Sequence, residues 1–281
     1  MNLTWPIAVA VLFGALLHAS WNAMIKSSAD KALDTAVIHL IGSFVALPLL
    51  LVLGLPPRES WPYIGASLVI HVAYYIALTG AYKHGELGLT YPLMRGTAPL
   101  LVALCSAAAL GETLSPLAWV GVLGVSCGVL ALGLSRHAMD SPRAVGFALA
   151  NAVVIALYTV VDGLGVRLAG NALQYVLTLF VIDGWPFALL VLWRRGPAVV
   201  WPYARRRAPL ALVGATASLA SYGIALWAMT KAPVATVAAL RETSVLFAVL
   251  LGTWVLKERF TWRRGLGTAA IVAGVMALRL G

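Results

Sequence analysis

The chain has 281 residues, of which 61% are hydrophobic and 11% charged. Soluble domains are roughly 45–50% apolar and about 25% charged, so this composition excludes a water-soluble globular protein. The net charge of +10 is typical of the basic cytoplasmic loops of membrane proteins, and we expect no nucleic-acid partner.

Ten apolar blocks follow one another along the chain. They cover residues 5–25, 33–55, 61–82, 87–110, 116–134, 144–168, 172–193, 208–230, 233–256 and 262–280. Each block has the length of a membrane-spanning helix, about 20 residues, and none alternates as a barrel strand would. The sequence therefore predicts an all-α integral membrane protein with ten transmembrane helices and the lipid bilayer as its surroundings.

Basic residues are distributed unevenly between the predicted loops. Loops one, three, five, seven and nine hold fourteen lysines and arginines, whereas the other loops and the ends hold four. Because basic loops stay in the cytoplasm, this bias predicts that both termini are non-cytoplasmic. We expect a multi-pass protein of the bacterial inner (cytoplasmic) membrane.

The two halves of the chain repeat each other. Residues 87–132 superpose without a gap on residues 233–278, and identical pairs include Arg95 with Arg241 and Glu112 with Glu258. The repeat predicts two five-helix units, residues 1–137 and 138–281. Five is an odd number, so the two units cross the membrane in opposite directions and form an inverted repeat.

These repeated segments carry a family resemblance. The run RGTAPLLVALCSAAALGETLSPLAWVGVLGVSCGVLAL and its copy RETSVLFAVLLGTWVLKERFTWRRGLGTAAIVAGVMAL resemble the duplicated EamA module of the drug/metabolite transporter superfamily. The most specific element is the turn at residues 111–113 and again at 257–259. The second copy lacks the usual glycine and has Val245 where the first has Pro99. The resemblance implies a transporter, most often an exporter, and not an enzyme.

Arg95 and Arg241 lie inside predicted spans, where an arginine costs about 2.5–3.5 kcal/mol on insertion scales. We expect both to face a water-filled cavity and to bind an anionic group of the substrate, because a guanidinium matches a carboxylate or phosphonate. The alternative is a structural role, such as pairing of Arg241 with Glu242 or Asp183.

Glu242 directly follows Arg241. Neighbours on a continuous helix point about 100° apart, so we expect only one of the two to face the cavity. Glu242 is predicted either to act in proton coupling or amine binding, or to be a buried structural partner.

The predicted first helix carries a polar stripe. His18, Asn22 and Lys26 recur every four residues, with Trp21 beside them, so we expect this face to point into the bundle. Trp21 and Asn22 are predicted to line the substrate site, because they suit a polar molecule with an apolar body. His18 is a candidate for proton coupling, or alternatively donates a hydrogen bond between helices.

Aromatic residues recur at corresponding places of the two copies. Trp21 corresponds to Tyr158, and Tyr74 to Tyr222, so we predict that these four residues and the two arginines surround the pseudo-two-fold axis and bind substrate. The alternative for each aromatic ring is packing. Asp162 follows Tyr158 by one turn and is expected in water near a helix end. Six tryptophans are expected at the membrane interface: Trp5, Trp61, Trp185, Trp193, Trp201 and Trp262.

Other repeated residues are predicted to be structural. Glu112 and Glu258 precede the fifth and tenth helices, where a carboxylate meets the positive end of the helix that follows. Five small residues at helical spacing predict close helix packing in lipid; they are Gly121, Gly124, Gly128, Gly267 and Gly274.

The sequence thus favours a secondary active transporter, an exporter or exchanger that works by alternating access. The expected cargo is a small polar metabolite such as an amino acid or a related carboxylate or phosphonate. No phosphate-binding loop is present, so ATP is not the direct energy source. We expect no cofactor and no metal, and a monomer or homodimer. The alternatives are a lipid-linked-sugar or lipid flippase of the same fold and a membrane-embedded metal-dependent hydrolase that uses His18, His39 and His71.

Overall fold

The computed structural model describes residues 3–26, 28–85, 87–133, 141–255 and 262–281. Within these ranges the chain forms eleven α-helices and one 3₁₀ turn, Arg58–Ser60. The helices are α1 (Trp5–Lys26), α2 (Lys31–Leu53), α3 (Trp61–His84), α4 (Leu87–Leu110), α5 (Pro116–Gly133), α6 (Pro142–Leu168), α7 (Ala172–Arg195), α8 (Pro197–Met229), α9 (Val234–Arg241), α10 (Ser244–Val255) and α11 (Trp262–Leu280).

The predicted all-helical membrane character is confirmed. Seven of the described helical segments are long and apolar enough to cross a bilayer; they include α1, α2, α6, α7 and α8, most of α4, and α3 together with its preceding turn. α5 and α11 are apolar but shorter. The ninth apolar block, predicted as one helix, forms two helices, α9 and α10.

The predicted seventh loop is also mostly helical. Only Gly196 separates α7 from α8, and α8 begins at Pro197 and includes Arg205, Arg206 and Arg207. Its 33 residues correspond to about 50 Å at 1.5 Å per residue, more than the roughly 30 Å of a hydrocarbon core. The basic residues therefore lie on a helical extension and not in an irregular loop.

Local sequence explains several helix ends. The Asp30 carboxylate accepts hydrogen bonds from the backbone N–H groups of Ala32 and Leu33 at the start of α2, both at 3.1 Å. Gly54 and Gly196 follow α2 and α7 with φ of 81° and 78°, a conformation that favours glycine.

The predicted glycine packing is confirmed between α5 and α11. A Cβ atom on Gly121 would lie 2.8 Å from the carbonyl oxygen of Gly274, and one on Gly128 would lie 2.8 Å from that of Gly267. The two backbones therefore approach closely, as small residues permit in membrane proteins.

The outer surface is apolar. All six tryptophans expected at the membrane interface are exposed, with Trp193 at 81% and Trp201 at 72%. Leu51 and Val52 on α2 are also largely exposed. Such a surface suits lipid and not water.

Inside the bundle, helices from the two halves alternate. α3 packs against α6, α1 against α8, α2 against α7 and α5 against α11. α4 packs against both α5 and α6, while α9 and α10 contact α1. This arrangement brings interior residues of α4, α6, α8 and α9 together.

Candidate functional site

A narrow cavity lies between α4, α6 and the junction of α9 with α10. Its volume is about 10 Å³, and its apolar lining includes Ala98, Val102 and Ile155. A single water molecule needs about 10–15 Å³, so the cavity is closed to a metabolite in this conformation. The polar side chains of the lining are Arg95, Tyr158, Thr159, Arg241 and Glu242.

A break in the helix places both Arg241 and Glu242 on this cavity. α9 ends at Arg241, and α10 begins at Ser244. Between them the backbone N–H groups of Glu242 and Thr243 bond three residues back, at 3.1 Å. The expectation that only one of the two residues faces the cavity was wrong, because it assumed a continuous helix.

Arg95 and Glu242 form a buried ion pair between the two halves. Arg95 Nε lies 2.8 Å from Glu242 Oε2, and the residues are only 8% and 4% exposed. The Nε–H bond of Arg95 does not point at Glu242 Oε2, so the two atoms do not form an aligned hydrogen bond. The same guanidinium also donates a long hydrogen bond, 3.4 Å, to the Ser244 hydroxyl. A charge buried in the bundle is therefore neutralised by a partner from the other repeat.

Arg241 has different surroundings. Its guanidinium carbon lies 5.2 Å from the centre of the Tyr222 ring, a cation–π distance. Neither Glu242 nor Asp183, the two carboxylates considered from the sequence, approaches it within 4 Å, and no other carboxylate of the described residues does so. Arg241 thus lines the cavity without an ion-pair partner among the described residues.

Asp162 is a buried interior residue, and its predicted position in water was wrong. It is 0% exposed, because α6 continues to Leu168 and neighbouring helices cover it. Tyr175 donates a 2.9 Å hydrogen bond to Oδ1, and Tyr222 donates a short one to Oδ2. The spacing of Asn151, Tyr158 and Asp162 on one face of α6 was the available signal.

The predicted tyrosines lie on one side of this region. Tyr158 stacks on His71 with ring centres 4.8 Å apart and meets the edge of Tyr74 at 6.2 Å. Ser67 and the Nδ1 atom of His71 are 3.3 Å apart. Of the predicted aromatic residues, only Tyr158 lines the cavity itself.

The polar stripe of α1 lies next to the site. The rings of His18 and Trp21 are 5.2 Å apart, and Trp21 also faces His39 at 6.3 Å. His18 is close enough to Arg95 and Arg241 for electrostatic interaction. The Asn22 amide donates instead to the His18 carbonyl oxygen at 2.8 Å. Neither Trp21 nor Asn22 is part of the cavity lining.

Glu112 stabilises a different helix from the one expected. Its carboxylate accepts a 2.9 Å hydrogen bond from the N–H of Val234, the first residue of α9, and lies 2.6 Å from Arg167. Arg167 also donates to the carbonyl oxygens of Met229 and Ala232. The glutamate therefore meets the positive end of α9 and not of α5. Its counterpart Glu258 lies outside the described residues.

The histidines considered as zinc ligands do not converge. No group of three His, Cys, Asp or Glu side chains within the described ranges could hold a metal ion. His137 lies outside those ranges.

Comparison with known proteins identifies the family. Residues 142–280 match the model of the EamA-like transporter family. No curated protein matches the sequence. A solved structure titled "Crystal structure of protein" is similar over 97% of this chain and 98% of its own, with 23% sequence identity and a TM-score of 0.72. This likeness shows that the two proteins share a fold. The chain belongs to the EamA-like transporter family, as the repeated segments predicted.

Proposed function

We propose that the chain is a secondary transporter of a small anionic or zwitterionic metabolite and works by alternating access. In this proposal it crosses the membrane ten times as two inverted five-helix repeats, residues 1–137 and 138–281. The two halves rock about a site near the middle of the bilayer.

The pairing of helices supports an inverted repeat. α3 packs against α6, and α8 packs against α1, so the third helix of each half meets the first helix of the other. α2 with α7 and α5 with α11 join equivalent helices. A two-fold axis in the membrane plane generates both kinds of pair.

The observation that carries the proposal is Arg241 at the cavity. Arg241 lines the cavity and its guanidinium lies over the face of Tyr222, while no carboxylate of the described residues lies within 4 Å of it. An arginine in a membrane interior requires compensation for its charge. A carboxylate or phosphonate of the substrate would supply it through two parallel hydrogen bonds.

The neighbouring ion pair suits an amino acid. The ammonium group of a bound amino acid would compete with Arg95 for Glu242. Ala98, Val102 and Ile155 would contact an apolar side chain. We propose Tyr158, Tyr74 and Tyr222 as further walls of the site, and Trp21, Asn22 and His18 as residues that reach substrate in another conformation.

Thermal shift of the purified protein tests this assignment. The ligands are the twenty proteinogenic amino acids, aminoalkyl phosphonates and, as matched controls, the amines that lack the carboxylate. A ligand that binds the folded state raises the melting temperature. We expect at least one acid, but not its amine, to do so.

The Arg241→Gln variant then tests whether Arg241 binds the anionic group of that ligand. It should lose the response to that acid, whereas Arg279→Gln should retain it. Arg279 is the matched control because its guanidinium also lies over an aromatic ring, 4.9 Å from the centre of Trp5, away from the cavity. An unchanged response in Arg241→Gln would refute the proposed site.

We also propose an orientation in the bacterial inner membrane. Arg194, Arg195 and the basic start of α8 lie at one end of the bundle together with the link between α1 and α2, because Arg195 pairs with Asp30 at 3.3 Å. The positive-inside rule places this end in the cytoplasm and both termini on the other side.

A further inference from the structure

Asp162 is a buried carboxylate that does not line the proposed transport site. The other strongly buried carboxylates of the described residues are neutralised by arginine: Glu242 by Arg95 and Asp34 by Arg207. Asp162 is completely buried, yet no arginine or lysine nitrogen of the described residues lies within 4 Å of it.

Two tyrosine hydroxyls hold its carboxylate, and the Ser67 hydroxyl is close enough to interact with it as well. Tyr175 donates to one oxygen and Tyr222 to the other. Hydrogen bonds from neutral hydroxyls stabilise an anion less than a neighbouring cation does, and an ionised group in a dry interior is costly. Binding a proton removes this cost, so the site can exist in two protonation states.

The groups that interact with Asp162 come from its own helix and from three neighbouring helices. α3 supplies His71 and Ser67, α7 supplies Tyr175 and α8 supplies Tyr222, while α6 itself supplies Tyr158. Tyr158 interacts in turn with Arg95 of α4 and with Arg241 and Glu242 at the end of α9. His71 is close enough to interact with Asp162 electrostatically.

Tyr222 connects Asp162 to the anion site. Its hydroxyl bonds to Asp162, and its ring carries the guanidinium of Arg241. Protonation of Asp162 weakens its hydrogen bond from Tyr222, because a neutral carboxyl group is a poorer acceptor than a carboxylate. When an anion draws Arg241 away, the same ring loses its cation.

We propose that Asp162 is the proton-binding site of the transporter and that Tyr222 couples its protonation to anion binding at Arg241. The coupling part rests on the proposed function; the proton site does not.

Infrared spectroscopy tests the proton site without substrate. The difference between wild-type protein and Asp162→Asn should contain the carbonyl band of a protonated carboxyl group that disappears as the pH is raised. Arg241→Gln should keep the band. Absence of a titrating band in the difference spectrum would overturn the assignment of the proton site.

Proton release on ligand binding tests the coupling. A pH-sensitive dye in weakly buffered solution reports protons exchanged when the equimolar mixture of twenty amino acids is added. We expect a signal from wild type and none from Tyr222→Phe. Tyr203→Phe is the matched control, because Tyr203 is also on α8 and donates to a different buried carboxylate, Asp34; it should keep the signal.

These variants distinguish failure of the proposed substrate class from failure of the proposed coupling. If wild type shows neither a thermal shift nor proton exchange with the amino acids, the proposed substrate class fails while the infrared result still decides the proton site. If Tyr222→Phe binds amino acids and still exchanges protons as wild type does, the coupling through Tyr222 is wrong. Tyr222→Phe keeps the aromatic ring that packs in the bundle. The proton-exchange measurement therefore gives a result even if the Asp162→Asn variant does not fold.

Discussion

Arg95 and Arg241 occupy equivalent positions in the repeated sequence but have different partners. Arg95 pairs with Glu242 from the other half, whereas Arg241 lies over the ring of Tyr222. The glutamate that follows Arg241 corresponds to Gly96 in the first copy, so only one such carboxylate exists. Arg95 is thereby neutralised, whereas Arg241 has no ion-pair partner among the described residues.

The ion pair makes a prediction for stability. Glu242→Gln and Arg95→Gln should each destabilise the protein by about 3–5 kcal/mol, because each leaves one buried charge unpaired. The double variant should lose less than the sum of the two single variants. Chemical denaturation in detergent measures this difference, and strictly additive losses would contradict the pairing.

At the scale of single residues, the sequence identified the charges but not their contacts. The repeat singled out both arginines, Glu242 was considered because it follows Arg241, and all three line the cavity. The spacing of Asp162 on α6 indicated an inward face, but its partners Tyr175 and Tyr222 could not be predicted, because they stand on other helices. Such long-range contacts leave no local pattern.

Among the helices, the junction between α9 and α10 matters most for the site. It turns Glu242 toward Arg95, although residues 240–246 contain neither proline nor glycine. In the first copy, α4 continues through Pro99 as one helix. Sequence-based reasoning therefore predicted one continuous span in the second copy, where the usual signals of a break are absent.

The contact between α5 and α11 gives a second prediction. Gly128→Ala should destabilise the protein by about 1–3 kcal/mol, because the new methyl group would lie 2.8 Å from the Gly267 carbonyl oxygen. Gly146→Ala is the control, since a Cβ there has no neighbour within 4 Å. Its stability should stay the same or rise, as alanine is the better helix former. Equal losses in the two variants would contradict this packing.

The N-terminus of α9 gives a third prediction. Glu112→Gln removes the ion pair with Arg167 and weakens the acceptor for the Val234 N–H. We expect a loss of about 1–3 kcal/mol in the free energy of unfolding, measured by denaturation. Glu59→Gln, on the exposed 3₁₀ turn, should lose none. If the two glutamates respond alike, Glu112 does not stabilise α9.

For the whole molecule, α2 and α7 join the two halves along their length. Near one end the Gln174 amide donates a 2.7 Å hydrogen bond to the Leu53 carbonyl oxygen, and near the other Arg195 pairs with Asp30. The apolar blocks and the repeat were sufficient to predict the all-helical bundle. They could not predict the helical extension of α8, because its basic residues lack an apolar pattern.

The orientation of the protein in the membrane is a prediction about the whole molecule. A reporter phosphatase fused after Gly281, active only outside the cytoplasm, should be active, and a fluorescent protein that matures only inside should be dark. The reason is the concentration of arginines at the opposite end. The reverse pattern would contradict the orientation inferred from the arginines. It would not bear on the proposed binding site.

Distances at the two ends of the bundle test the transport mechanism most directly. Spin labels at Ala29 and Arg194 report the basic end, and labels at Leu55 and Leu173 report the other; all four positions are exposed. Cys105 and Cys127 are first replaced by alanine. When an acid found by the thermal-shift screen is added, the distance between the labels at one end should lengthen while the distance at the other end shortens. Distances that stay fixed, or that change together at both ends, would contradict alternating access.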